Sequence, residues 1–329
     1  MLTRIKIQSL FNVYDYDIDL TNNDKTTVKF ITAPNGFGKT TILDFINAAM
    51  HQSYDKMFQI PFFQFEMFYD ETDSETIYQY AVTREEETST AKDTDVVQVL
   101  SKTLNIKLLR TNGTEETLIE QFSIKQTPDG ALSTEGSTDN IQMFFVSRTC
   151  FYLTDERNLV QRKDDIRVEE ETLVIEDIPV NPYPKELKEI LNSPEKSKKF
   201  DLQIQAFQEI INRCEFANKQ LEIDKRFGFR FVSNDELHTI LKLDQFSSGE
   251  KQMIIQVYEL LFRAQSGTLV LIDEPELSLH MMWQMNYLKN LMEIAKLRGF
   301  QCIVATHSPQ IFNSLWSKSV DLFNISNQK

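Results

Sequence analysis

Eight consecutive residues constrain this chain more than any others: Ala33, Pro34, Asn35, Gly36, Phe37, Gly38, Lys39 and Thr40. They follow a short apolar run, Val28 to Thr32. They precede Thr41 to Met50, where Ile42, Phe45, Ile46 and Ala49 recur at helical spacing. A strand, a glycine turn and a helix in that order fit the pattern G-x-x-x-x-G-K-[ST], with Ala33 in place of the first glycine. Gly36 and Gly38 let successive backbone N–H groups turn toward one anion, and the helix N-terminus adds partial positive charge. Lys39 is expected on the β- and γ-phosphates of a nucleotide and the Thr40 hydroxyl on Mg2+. Asn35, Gly36, Phe37, Gly38 and Thr41 are expected to line the phosphates. The plain alternative is a chance glycine turn, which the strand before and the helix after disfavour.

Three further stretches carry chemistry. Leu269 to Ile272 is an apolar strand that ends in Asp273, Glu274 and Pro275. Burying charge is costly, so a buried strand ending in two acids needs a reason. A Mg2+ ion at the glycine loop supplies one. Asp273 would hold the metal, directly or through water, and Glu274 would act as general base on an attacking water. Ser248 and Gly249, followed by Glu250, open a helix and would form a second anion site. Taken alone, that stretch is a plain helix cap. His307, in the run Ala305 to Pro309, follows another apolar strand and could donate a hydrogen bond to the γ-phosphate. His307 and Ser308 do not make a hydrolase triad, since no G-x-S-x-G elbow occurs.

The order of these motifs resembles ABC-type ATPase heads: glycine loop, S-S-G-E, apolar-D-E-P, Ser278-Leu279-His280, T-H-S-P. The resemblance is closest to the RecF/SMC-like branch and to bacterial AAA-15/AAA-21-like ATPases, found in OLD nucleases and anti-phage defence systems. It spans roughly 1–70 and 220–310. It implies an α/β head of the P-loop NTPase type, with a mixed sheet, an antiparallel β lobe and a helical insert. It implies ATP and Mg2+ as cofactors and hydrolysis as the activity. It also implies a head-to-head pair, homodimer or larger, in which Ser248 and Gly249 cap the ATP of the partner subunit. The family's metal-facing glutamine has one candidate here: Gln64, on the first strand after the loop helix. Arg148 resembles a family arginine near the head's core, and a surface arginine is its alternative. Ala33 departs from the pattern and bears on nucleotide affinity.

Pattern organises the rest. The chain of 329 residues reads as a single head with a charged and helical insert at about 155–225. Strand alternation covers 2–10 and 14–20, and residues 62–83 read as an antiparallel pair. Residues 84–95, charged and rich in Thr and Ser, read as a loop. More short strands run up to Phe144–Arg148, and 184–223 carries helical spacing. Residues 249–265 and 280–298 read as helices. Residues 227–231, 268–272 and 301–305 read as strands.

Composition then excludes several classes. A net charge of −14 argues against a broad DNA-coating surface, so nucleic acid would need a local basic patch. Cys150, Cys214 and Cys302 lie far apart, which suggests free thiols and no zinc site. No long apolar run or leader occurs, so a cytoplasmic protein with no membrane partner is expected. The chain ends soon after His307, and no nuclease lobe is expected beyond it. The leading expectation is an ATPase sensor or regulator in prokaryotic defence, acting with a separate effector protein. The alternative is a RecF/SMC-like DNA repair or maintenance ATPase. A transporter subunit fits the polar 84–180 segment poorly.

Overall fold

The computed structural model describes residues 1–21, 28–71, 75–90, 97–154, 182–242, 245–277, 279–311 and 318–328. The chain begins with strands β1 (Leu2–Leu10), β2 (Tyr14–Asp19) and β3 (Val28–Thr32), then helices α1 (Lys39–His51) and α2 (Asp55–Gln59). Strands β4 (Gln64–Asp70), β5 (Thr76–Thr90), β6 (Val97–Asn112), β7 (Glu115–Gln126) and β8 (Leu132–Gly136) follow, then α3 (Asp139–Val146) and β9 (Cys150–Leu153). Next come α4 (Pro182–Asn192), α5 (Pro194–Lys199), α6 (Asp201–Arg213), β10 (Lys219–Asp224), β11 (Gly228–Ser233) and β12 (Ile240–Leu241). Helix α7 (Ser248–Tyr258) continues into a π-helical turn at Glu259–Arg263. The chain closes with β13 (Leu269–Asp273), α8 (Met281–Arg298), β14 (Gln301–Thr306), β15 (Ser319–Asp321), α9 (Leu322–Ile325) and β16 (Asn327–Gln328).

Two compact units result. The first holds Met1–Tyr152, Gly267–Asp273 and Phe300–Lys329, and the second holds Leu153–Ser266 and Glu274–Gly299. In the first unit a five-stranded sheet has the order β15-β3-β14-β13-β9, and an eight-stranded sheet has the order β16-β2-β1-β4-β5-β6-β7-β8. The pairs β13–β14, β14–β3 and β15–β3 are parallel. Leu269–Ile272 of β13 and Cys302–Ala305 of β14, in the middle of this sheet, read as unbroken apolar runs because both faces are buried. The larger sheet is antiparallel, with the expected pair 62–83 inside it as β4 and β5. The α1 stripe of Ile42, Phe45, Ile46 and Ala49 shares one core with Ile5, Ile7, Phe65 and Tyr80. Phe45 meets Phe62 and Phe65 edge-on at 4.9 and 5.6 Å. Burying each such ring contributes about 1.5–3 kcal/mol.

Three readings change here. Residues 84–90 are not a loop: β5 runs on to Thr90, paired with β6 down to Val97, while 91–95 lie outside the described residues. The anchor is Arg84, 7% exposed, whose guanidinium donates to the carbonyls of Met57 and Ile60. Phe144 to Val146 is not a strand but the end of α3. Ile141, Phe144 and Phe145 are its buried face, which is helical spacing. Residues 219–223 are strand β10 and not helix, paired with β11 in register from Lys219–Ser233 to Asp224–Gly228.

The second unit packs α4 on β11. Gly228 is needed there: at φ +80° its Cβ position would fall 1.8 Å from the Pro184 carbonyl oxygen. Phe207 of α6 forms the centre of this core, against Phe229, Tyr258 and Phe262. Of the expected insert, 155–181 lie outside the described residues; its remainder is α4, α5, α6 and β10. Cys214 and Cys302 are buried and Cys150 half-buried, all three as free thiols. Among the described residues no helix is long and apolar enough to cross a membrane.

Candidate nucleotide site

The glycine loop leaves β3 at Thr32 and enters α1 at Lys39. Within it, positive φ falls on Gly36 (88°) and Gly38 (83°) and not on Ala33. The departure at Ala33 therefore costs the backbone nothing, because only left-handed positions require glycine. The Ala33 side chain is buried in the core and its carbonyl accepts from Lys39 Nζ at 3.0 Å, with the Pro34 carbonyl at 3.3 Å. Asn35, Gly36 and Thr40 are exposed, and Phe37 and Thr41 half-buried. Gly38 caps α1 with no side-chain cap, and the first turn has no acidic residue. No side chain therefore caps the leading N–H groups or offsets the positive end of the helix dipole.

The two glycines differ in a testable way. A Cβ at Gly36 would meet nothing within 4 Å, whereas one at Gly38 would lie 2.7 Å from Leu10 Cδ2. Gly36→Ala is expected to cost about 1–2 kcal/mol for the left-handed backbone. Gly38→Ala carries the same strain plus overpacking of about 1 kcal/mol or more. Thermal denaturation should rank Gly38→Ala below Gly36→Ala, and equal midpoints would contradict the fit of Leu10 against the loop.

The parallel register brings the other motifs to the same edge. Thr306 pairs with Thr32, and Asp273 pairs with Ala305. The carboxyl ends of β3, β14 and β13 therefore stand side by side, where open parallel sheets bind ligands. Two strand spacings separate β3 from β13, about 10 Å. Asp273 is 4% exposed and Thr306 fully buried, its Oγ1 accepting from the Ser308 N–H at 3.0 Å. His307, between them in sequence, is exposed. Among the described residues no group of three His, Cys, Asp or Glu side chains converges to form a metal cage. The donors at hand are the Thr40 hydroxyl and the Asp273 carboxylate. Mg2+ is commonly held that way, by one carboxylate plus phosphates and water, so the residues fit a Mg2+–nucleotide.

Gln64 begins β4, opposite Gln8 of β1 and Thr83 of β5. Gln8 stands two residues before Leu10, which packs beside Gly38, with a register shift between Ile7 and Leu10. Arg148 follows a helix instead of a strand. It is half-buried, its guanidinium 3.9 Å from the Phe144 ring centre and within 6 Å of Tyr69 and Tyr78. Its place is the aromatic cluster of the antiparallel sheet.

In the second unit Glu274 holds φ +40°, left-handed for a residue that precedes proline. Such strain costs about 1–3 kcal/mol and clusters at functional sites. Leu277 N–H donates to the Glu274 carbonyl and Leu279 N–H to that of Glu276, so a tight turn follows. The helix of the S-S-G-E stretch starts one residue earlier than its spacing suggests. Ser247 is its cap, in a capping box with Glu250. Ser248, exposed, and Gly249, buried, occupy the first turn. Glu250 is 5% exposed. It accepts from Ser247 N–H at 2.8 Å, Ser247 Oγ at 3.0 Å and Lys219 Nζ at 2.8 Å. Burial pushes its carboxyl up, but the bonds from Lys219 and Ser247 outweigh that and hold it below its ordinary value. Its carboxylate therefore braces the start of the helix. Ser247→Ala should lower stability by about 1 kcal/mol, read as a denaturation midpoint; an unchanged midpoint would contradict the cap.

Sequence reasoning missed the residues that hold the loop from behind. The Tyr16 hydroxyl donates to the Phe37 carbonyl at 2.8 Å. Tyr14 packs on Phe37 at 5.2 Å, and Phe323 of α9 meets it edge-on at 5.6 Å. The alternation of Tyr14 and Tyr16 marked a strand but carried no sign of the loop they face.

Residues 145–313, just over half of the chain, match the model of a family described as "AAA domain, putative AbiEii toxin, Type IV TA system". The chain belongs to this AAA family. The matched span includes Ser248, Asp273, Glu274 and His307, and the loop at 33–40 lies outside it. A stretch of 97 residues is 33% identical to the Retron Ec83 probable ATPase of Escherichia coli. The alignment covers 26% of this chain and 18% of that protein. The fold is similar to an SMC head bound to the C-winged helix domain of ScpA (TM-score 0.48, 11% identity, covering 100% of this chain and 96% of the other). It is also similar to the SMC head domain from Thermotoga maritima (TM-score 0.42, 14% identity, covering 100% and 98%).

Proposed function

We propose that the chain binds ATP with Mg2+ at the 33–41 loop and hydrolyses it. The observation that carries this reading is the parallel register of β3, β14 and β13, which sets the glycine loop, Thr306–His307 and Asp273 along one edge. Asn35 to Thr41 hold the phosphates through backbone N–H groups and the Lys39 ammonium. Thr40 and Asp273 would hold the metal, with Gln64 of β4 as a further candidate ligand. Bound Mg2+ neutralises phosphate charge. Glu274, one peptide bond beyond Asp273, takes the proton of the attacking water, and His307 donates to the γ-phosphate. Phosphate release from ATP by the purified chain, dependent on Mg2+, tests this; a chain that binds ATP and never turns it over would reduce the reading to a nucleotide switch.

In this reading two copies of the chain close head to head on ATP. Ser248 and Gly249 present N–H groups at the start of α7 to the nucleotide held by the partner subunit, and Glu250 with Lys219 keeps that helix end in shape. ATP binding shifts the population toward the closed pair, and hydrolysis releases it. The chain serves as a cytoplasmic sensor or regulator of prokaryotic defence with a separate effector protein, a role favoured by the toxin–antitoxin description of the family and the retron relative. Co-purification from the native operon tests the effector, and a chain that runs alone with nuclease activity of its own would sink that version. A RecF/SMC-like DNA maintenance role is the second reading. ATP turnover stimulated by DNA would favour it, against the −14 net charge.

A further inference from the structure

The β1–β2 hairpin grips the back of the glycine loop at three points. Leu10 and Phe11 fill the space beside Gly38, 2.7 and 3.3 Å from where a Cβ would stand. The Tyr14 ring stacks on Tyr16 at 5.7 Å and tilts against Phe37 at 5.2 Å. The Tyr16 hydroxyl, on a side chain 3% exposed, donates to the Phe37 carbonyl at 2.8 Å. The hairpin is itself held: Ser9 N–H donates to Asp15 Oδ1 at 2.7 Å and Phe11 N–H to the Pro61 carbonyl at 2.8 Å.

The peptide between Phe37 and Gly38 is planar and trans, so its C=O and N–H point in opposite directions. A carbonyl fixed on one side therefore fixes the Gly38 N–H on the other. Gly36 and Gly38 both stand at positive φ, the conformation in which successive N–H groups form an anion-binding concavity. We propose that Tyr16 is a positioning residue for phosphate: by holding the Phe37 carbonyl, its hydroxyl aims the Gly38 N–H into the anion site before any nucleotide arrives. Burial, with Tyr14 close by, raises the phenol well above its ordinary value, so the donor stays protonated across the working pH range. Phe323 of α9 also meets Phe37 edge-on at 5.6 Å. The inference rests on the ATP reading above.

Tyr16→Phe removes one oxygen and keeps the ring. The full-length variant is expected to raise both Kd and KM for ATP about three- to tenfold. It should leave kcat within about twofold and the nucleotide-free melting midpoint within a few degrees. A purely structural hydroxyl would lower the midpoint and leave Kd unchanged, and that result overturns the proposal. Tyr14→Leu, at a half-buried position and so easier for the fold to bear, removes the ring packed on both Tyr16 and Phe37. It should raise KM in the same direction by a smaller factor, and an unchanged KM in both variants rejects the clamp. Wild-type and Lys39→Ala protein measured alongside separate the two levels. If wild type binds no ATP, the nucleotide reading falls and this inference with it. If wild type binds, Lys39→Ala does not, and Tyr16→Phe matches wild type, only the positioning role falls.

Discussion

Lys39→Ala is expected to abolish measurable ATP binding. Lys39 is 5% exposed, and its ammonium donates to the Ala33 and Pro34 carbonyls of the loop. That position leaves it beside the proposed anion site, where it would exchange carbonyls for phosphate oxygens. Hydrogen bonds to charged groups contribute about 1.5–3 kcal/mol each. Two of them, about 3 kcal/mol together at the low end, correspond to roughly a hundredfold in Kd. The truncation also removes the donor to two carbonyls, so a modest fall in the melting midpoint should accompany the loss. Equilibrium binding of ATP in the presence of Mg2+ reads the first effect and thermal denaturation the second. Nucleotide affinity equal to wild type would contradict the assignment of the loop.

Glu274→Gln is expected to keep ATP and scarcely turn it over. Glutamine has the size of glutamate and the same backbone preferences, so the φ of +40° at this position is kept. What it lacks is the basic oxygen. General-base assistance is worth about 10²–10⁴-fold, and kcat should fall by that factor with KM nearly unchanged. Under the head-to-head reading the variant should also accumulate as a dimer when ATP is added, seen as a shift in sedimentation or elution. Hydrolysis at the wild-type rate would remove Glu274 from the mechanism.

Much of the fold was legible because its elements are buried on both faces or carry a clear period. Leu269 to Ile272 and Cys302 to Ala305 are continuous apolar strings, and a strand between two neighbours in a parallel sheet has to be. The loop was legible because Gly36, Gly38, Lys39 and Thr40 stand between such a strand and a helix with an apolar stripe. Where polarity outran the pattern, the reading slipped. Glu85, Glu86 and Glu87 stand exposed on β5, so no alternation announced the strand. Its pairing with β6, not burial, keeps it extended. Phe144, Phe145 and Val146 have strand propensity, but Ile141, Phe144 and Phe145 face one core and packing decided for helix. In the site, the motif spacing located Asp273 and His307, while only the parallel register could place them beside the loop. The brace on Glu250 comes from Lys219, 31 positions away, which no local pattern encodes. Tyr16 was invisible for the same reason, 21 residues from the carbonyl it holds.

The central claim is that the edge shared by β3, β14 and β13 is a Mg2+–ATP site. Isothermal titration of the full chain with ATP, with and without Mg2+, tests it most directly. Binding by wild-type protein that weakens without Mg2+ or in Asp273→Ala, and disappears in Lys39→Ala, is the predicted result. Absence of binding by the wild-type chain, or binding indifferent to Lys39, would contradict it.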